Sequence, residues 1–308
     1  LGAGLLAIAL SVTLVACGSD DKTPVASGGT STTAAAADFP VTVRGVTLDA
    51  APDHIVSLSP TATEVLFAIG AGDQVIAADA NSNYPADAPT TDLDAYQPNV
   101  EAIASKGPDL VVAATDTDDM VKGLQDLDIP VLLLPAATTL EEAYTEIDEL
   151  GQATGHADEA ADVVEQMRSG ITDLATEAGG AGTGLTYYYE LDPTFYSVTS
   201  KTFIGQVLGE LGLVNIADAA GAKTSDYPQL SAEYIVQQDP DLVLLADSKC
   251  CQQDAAAVAK RDGWAGMKAV TGDGVVTLDD DVASRWGPRI VDLLQAVADG
   301  ITRVKAGR

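Results

Sequence analysis

The stretch EAIASKGPDLVVAA, Glu101–Ala114, decides the fold because the chain contains it twice. The second copy is EYIVQQDPDLVLLA, Glu233–Ala246, at an offset of 132 residues. Glu101/Glu233, Ile103/Ile235, Pro108/Pro240, Asp109/Asp241, Leu110/Leu242, Val111/Val243 and Ala114/Ala246 coincide. Each copy reads as a short helix, a Pro-Asp break and an apolar run of strand length. A helix–turn–buried-strand unit that returns this far along the chain points to a duplicated α/β lobe.

Working outward from the first copy, HIVSLS (His54–Ser59) is a strand that runs into a helix. Ser59 suits its cap, Pro60 its first position and Gly70 its end. QVIAA (Gln74–Ala78) and IPVLLLP (Ile129–Pro135) are further strands, and MVKGLQDLD (Met120–Asp128) is a helix. This alternation predicts a mainly parallel sheet covered on both faces. Thr139–Ala153 is amphipathic, with Leu140, Ala143, Ile147 and Leu150 on one side. A long helix follows over Ala157–Ala178, with Ala160, Val163, Met167, Ile171, Leu174 and Ala178 as its apolar positions. At 1.5 Å per residue it spans roughly 33 Å.

The second half restarts the pattern. LTYYYEL (Leu185–Leu191), DLVLLAD (Asp241–Asp247) and GVVTLD (Gly274–Asp279) are strands, and VLFAIG at Val65–Gly70 returns as VLGELG at Val207–Gly212. A last helix from Pro288 carries Ile290, Leu294, Val297, Ile301 and Val304 on one face. The expected fold is α/β: two Rossmann-like lobes with mainly parallel sheets, 39–153 and 181–308. One long rigid helix within 154–180 joins them, and the ligand cleft lies between the lobes, beyond the carboxyl ends of the strands.

Leu1–Ala16 is apolar but shorter than the roughly 20 residues needed to span a bilayer. It reads as the apolar region of an export signal, residues 1–17. Its end, LVAC at Leu14–Cys17, resembles the lipobox of bacterial lipoproteins, which implies lipidation at Cys17; an ordinary signal peptide with an incidental cysteine is the alternative. Gly18–Asp38 holds almost nothing to bury and reads as a flexible tether, 18–38.

With 46 acidic and 16 basic residues the formal charge is −30, which argues against nucleic acid as a partner. The only histidines, His54 and His156, cannot build a multi-histidine metal site, and no metal or cofactor is expected. There is no Gly-rich phosphate loop, no G-x-S-x-G and no HExxH, so an enzyme is not expected. Cys250 and Cys251 are adjacent. Neighbouring Cα atoms lie about 3.8 Å apart, below the usual disulfide range. A vicinal disulfide, two buried thiols and a soft-metal pair all stay open.

Aromatic residues make up only 5% of the chain, yet Tyr84, Tyr96, Tyr196, Tyr227 and Trp286 fall in loops that follow strands. Their faces suit a large flat ligand. Arg285 is the best-placed cation for the cleft, with Lys249 second. So few cations favour a near-neutral ligand over an anionic ferric siderophore.

HIVSLSPTATEVLFAIGAGDQVIA, NYP, PNVEAIASKGPDLVV, YPQLSAEYIVQQDPDLVLL and RWGPRIVDLL resemble, in that order, a known family. It is the substrate-binding lipoproteins of ABC importers for cobalamin and iron complexes, the helical-backbone, class III periplasmic binding proteins. The resemblance runs from Val41 to the C-terminus and looks closest to the cobalamin branch. It implies a monomer, lipid-anchored at the outer face of the cell membrane, that captures a cobalamin-type or iron-complex ligand (siderophore or haem). The ligand is then delivered to a dimeric ABC permease. A ferric-siderophore binder and a surface sensor or scavenger without transport are the alternatives. Glu101 and Glu233 match the glutamates that dock the family onto permease arginines. Two departures stand out: the Asp94–Gln97 loop has Tyr96 but no tryptophan, and the KCC at Lys249–Cys251 has no counterpart.

Overall fold

The computed structural model describes residues 39–307 apart from 179 and 222–224. The signal segment 1–17, Cys17 and the tether 18–38 lie outside the described residues.

A small antiparallel hairpin opens the fold: β1 (Val41–Val43) and β2 (Val46–Leu48) turn at Arg44 and Gly45, both at positive φ. The first lobe follows as β3 (Ile55–Leu58), α1 (Pro60–Ala68), β4 (Val75–Ala78), α2 (Val100–Ala104), β5 (Leu110–Ala113), α3 (Met120–Gln125) and β6 (Val131–Leu133). Its parallel sheet has the order β4-β3-β5-β6. α1 begins as its sequence dictates: the Ser59 hydroxyl accepts from the Ala62 N–H, and Pro60 takes the first helical position.

Two packed helices come next, α4 (Leu140–Thr154) and α5 (Ala157–Glu177). A Cβ at Gly151 would come within 2.4 Å of the Ala160 Cβ, so only glycine lets the two helices turn so tightly. The buried face of α5 is Ala160, Val164, Met167, Ile171 and Leu174. Val164 thus takes the place expected of Val163, which is half-buried, because the stripe advances by four, three, four and three.

The second lobe comprises β7 (Thr186–Glu190), α6 (Phe203–Gly209), β8 (Val214–Asn215), α7 (Ala217–Gly221), α8 (Ala232–Gln238), β9 (Leu242–Leu245), α9 (Ser248–Cys251), α10 (Ala255–Ala259), α11 (Lys268–Thr271), β10 (Val275–Thr277), α12 (Asp280–Ala283) and α13 (Ile290–Ala306). Its parallel sheet, β8-β7-β9-β10, repeats the strand order of the first.

The duplication holds at the level of register. Ile55 pairs with Leu110 and Tyr187 with Leu242, so both partners move by the same 132 residues. The repeated aspartate explains itself here. The Asp109 carboxylate accepts from the N–H groups of Asp53 (2.9 Å) and His54 (3.0 Å), just ahead of β3. The Asp241 carboxylate accepts from the N–H (2.9 Å) and hydroxyl (3.1 Å) of Thr186, at the start of β7. Each acid pins the start of the neighbouring central strand through bonds strengthened by its charge.

One apolar cluster passes from Val65 and Leu66 of α1 through α4 and α5 to Tyr187, Tyr189 and Leu294. The lobes therefore share a core along the helical backbone. Tyr188, on the alternate face of β7, packs instead with Ile235, Val243 and Trp264.

Candidate functional site

An open cleft of about 390 Å³ lies beyond the carboxyl ends of β3, β4 and β5, which contribute Leu58–Thr61, Asp79–Asn81 and Ala114–Thr115. Asp281 of α12 and Ser284–Trp286, ahead of α13, close it from the other lobe. The links leaving β3 and β5 are short and the one leaving β4 is long, and all three put polar side chains and backbone groups at the carboxyl end of the sheet, as open α/β sheets do.

The electrostatics of the cleft turn on Arg285, the only cation among the described residues that line it. It is buried, and its guanidinium donates to Glu64 of α1, to the Asn81 carbonyl (3.0 Å) and to Asn83 Oδ1 (2.8 Å). Arg289 donates Nε to the same Glu64 carboxylate at 2.9 Å. Glu64 is 3% exposed. Two arginines of one lobe thus meet one buried glutamate of the other. Asn83 Nδ2 also donates to Asp281 at 3.1 Å across the same junction.

Lys249 Nζ bridges Asp279 (2.7 Å) and Asp281 (2.8 Å). Burial is the largest single influence and works against ionisation of both acids, but Lys249 together with the Asp281 and Val282 N–H groups at Asp279, and Lys249 together with Asn83 and the Arg285 charge at Asp281, outweigh it and hold both below the usual carboxylate range. Asp79, at the end of β4, is fully buried; desolvation raises it, against the opposing Ser82 hydroxyl, Asn81 N–H and Arg285 charge. Trp286 lines the cleft and donates its indole N–H to Glu146 of α4 at 2.8 Å.

Of the six cleft candidates read from sequence, the structure brings Tyr96, Arg285 and Trp286 to one cavity. Tyr96 is 72% exposed at its edge, on a turn where Asp94 accepts from the Tyr96 and Gln97 N–H groups. Tyr84 is placed elsewhere: it lines a separate hollow with Phe67, Pro85 and Pro288, its ring 3.9 Å beneath the Arg289 guanidinium. Tyr196 and Tyr227 are exposed on paired segments of the second lobe, where Tyr196 bridges to Gln229 and Thr199 N–H reaches Asp226 O. Neither lines the cavity.

Sequence reading missed Glu64, Asp79 and Glu146. For Glu146 a signal existed. It falls between Ala143 and Leu150 on the apolar side of α4, where a charged residue needs a partner.

Glu101 and Glu233 occupy equivalent places. Each is the second residue of its helix, behind a side-chain cap from Asn99 or Ser231, and each is exposed. Among the described residues neither forms an ion pair. Cys250 and Cys251 are joined as a vicinal disulfide on α9, with Cys250 exposed. The Lys249 and Cys250 N–H groups donate to Asp280 at 3.0 and 2.8 Å. Among the described residues no group of three His, Cys, Asp or Glu could hold a metal ion.

The periplasmic binding protein family model matches residues 55–282, from β3 into α12. The chain belongs to the periplasmic binding protein family. An ABC transporter substrate-binding lipoprotein of Bacillus subtilis, YvrC, is 31% identical to this binding protein over 277 residues, 85% of this chain and 86% of that one. A cobalamin-binding protein of Halobacterium salinarum is likewise 31% identical over 277 residues, 86% of this chain and 74% of that one. Among solved structures, the periplasmic vitamin B12 binding protein BtuF of Vibrio cholerae superposes with a TM-score of 0.65. It is 25% identical, over 83% of this chain and 98% of that one. The binding protein is thus a two-lobed transport component of extracytoplasmic type and not an enzyme.

Proposed function

We propose that this binding protein captures a near-neutral, cobalamin-type ligand in the interlobe cleft and delivers it to a dimeric ABC permease. The observation that carries the reading is the pairing of Arg285 with Glu64. With that guanidinium committed, the cleft offers carboxylates, amides, hydroxyls and aromatic faces, but no free cation among the described lining residues. Lys249 and Arg285 are already taken up by Asp281 and Glu64, so an anionic ferric siderophore, or haem with its propionates, would find no cation left to answer its charge among the described lining residues. A neutral corrinoid would find hydrogen-bond partners for its amides and Trp286 for its flat face. The likeness to a cobalamin-binding protein supports the same choice.

In this account Tyr96, Arg285 and Trp286 form the first wall, with Arg285 holding it in shape. Tyr196 and Tyr227, exposed on the second lobe outside this cavity, meet only the part of a large ligand that projects beyond it, and Tyr84 braces the junction under Arg289. Glu101 and Glu233, equal charges at equivalent positions, meet the two halves of a two-fold permease. Residues 39–153 and 181–308 act as lobes on the backbone 154–180. Cys17 carries the lipid, and 18–38 tethers a monomer to the outer face of the membrane.

The test is a titration with cyanocobalamin, haemin and a panel of ferric siderophores, followed by intrinsic fluorescence. Saturable quenching by cyanocobalamin is expected, because Trp286 lines the cleft while Trp264, the only other tryptophan, is buried in the second lobe. Quenching by an anionic ferric complex alone would overturn the choice of ligand.

A further inference from the structure

Trp286 lines two spaces. One is the open cleft; the other is a void of about 10 Å³ shared with Ala62, Val65, Ile147, Leu150 and Glu146. That is close to the smallest space that admits a water. Glu146 reaches the indole through this wall and is 7% exposed. Its place on α4 is a core position, between Ala143, Ile147 and Leu150. An apolar residue there would pack without cost, whereas a carboxylate must give up its water. Helix packing alone offers no reason for it. What the carboxylate supplies is an acceptor for Trp286.

We infer that Glu146 is a positioning residue: it fixes the Trp286 indole on the cleft wall, and it makes the grip on ligand depend on pH. The inference rests on the reading of the cleft as the ligand site. The charged groups facing Glu146 come from the β1–β2 turn and from α4 itself. Arg44, from the β1–β2 turn, approaches it at 3.5 Å but is shared with Glu149 at 2.7 Å. Glu142 and Glu149 come from α4 itself, and Trp286 from the segment before α13. Burial raises Glu146 to about 7; the Trp286 hydrogen bond and Arg44 oppose the rise, and Glu149 and Glu142 add to it. The side chain therefore exchanges its proton near neutrality. The ionised carboxylate is the stronger acceptor, by roughly twofold, so the indole is held more firmly at higher pH.

The experiment uses the full chain with 15N-labelled tryptophan indoles. Two indole signals are expected, from Trp264 and Trp286, and Trp286→Phe assigns them. In the wild type the Trp286 signal should move with a midpoint near 7. In Glu146→Gln, which keeps an acceptor oxygen but cannot titrate, it should stay fixed. A wild-type signal that does not move, or the same titration in Glu146→Gln, overturns the inference whatever the ligand proves to be. With cyanocobalamin as the probe, wild-type affinity should fall about fivefold from pH 8 to pH 6, the margin of a charge-assisted over a neutral hydrogen bond. Glu146→Gln should change less than about twofold over that range. Binding of equal strength at both pH values in the wild type would overturn the coupling. If the indole titrates and cyanocobalamin never binds, the positioning role stands and the corrinoid reading fails.

Discussion

Arg285 reaches across the interlobe junction to Glu64, 221 residues away in sequence, and both side chains are buried there. One contact does two things. It ties the lobes together, and it removes the one cation in the described cleft lining from ligand recognition. Arg289 shares the same carboxylate, so Glu64 balances two guanidinium groups.

Glu64→Gln should therefore destabilise the fold strongly, by about 3–5 kcal/mol, because it leaves buried positive charge uncompensated. Urea denaturation at neutral pH measures it. A loss below about 0.5 kcal/mol would show that water or another acid compensates the arginines.

The paired glutamates make a different kind of prediction. Reversing both charges, Glu101→Arg with Glu233→Arg, should leave ligand affinity within about twofold, since each residue is exposed on its own helix and outside the cleft lining. Uptake into cells should be lost, because charge complementarity sets the encounter with the permease. Undiminished uptake in the double variant would remove the docking role.

Glu146 has a signature in stability as well as in binding. Its folded value, near 7, lies above the ordinary 4.5. Below pH 4.5 both folded and unfolded forms hold the proton, and the residue contributes nothing. As pH rises from 4.5 to 7 the unfolded chain ionises first, so the folded state loses ground, by up to about 3 kcal/mol above pH 7. Glu146→Gln should thus gain on the wild type by about 2–3 kcal/mol between pH 5 and pH 8, measured by urea denaturation. A constant difference between the two proteins would contradict the burial account.

Cys250 and Cys251 give a chemical test. Without reductant, alkylation followed by mass analysis of the peptide that carries the pair should leave both unmodified; with reductant it should add two groups to that peptide. Two groups added to that peptide without reductant would show free thiols.

Much of the fold was legible in the sequence, because its strongest signals are local. Ser59, Pro60 and Gly70 bracket α1 by their own backbone preferences. The repeated Pro-Asp-Leu marks β5 and β9, since burial on both faces demands an unbroken apolar run. The hairpin β1–β2 escaped, with strands of three residues too short to show alternation. So did β8, with two residues. The cleft was legible only in part. Loop position alone put Tyr84 beside Tyr96, but stacking under Arg289 draws its ring into a different hollow. The ties of Glu64 to Arg285 and of Glu146 to Trp286 span 221 and 140 residues, and no local pattern announces a partner so far away.

Equilibrium dialysis of the purified protein against cyanocobalamin and an anionic ferric siderophore at equal concentration shows which of the two the cleft holds. A near-neutral cleft predicts one cyanocobalamin retained per chain and little of the ferric complex. Retention of the ferric complex with cyanocobalamin excluded would mean that Arg285 leaves Glu64 to bind ligand, and the account of the cleft would be wrong.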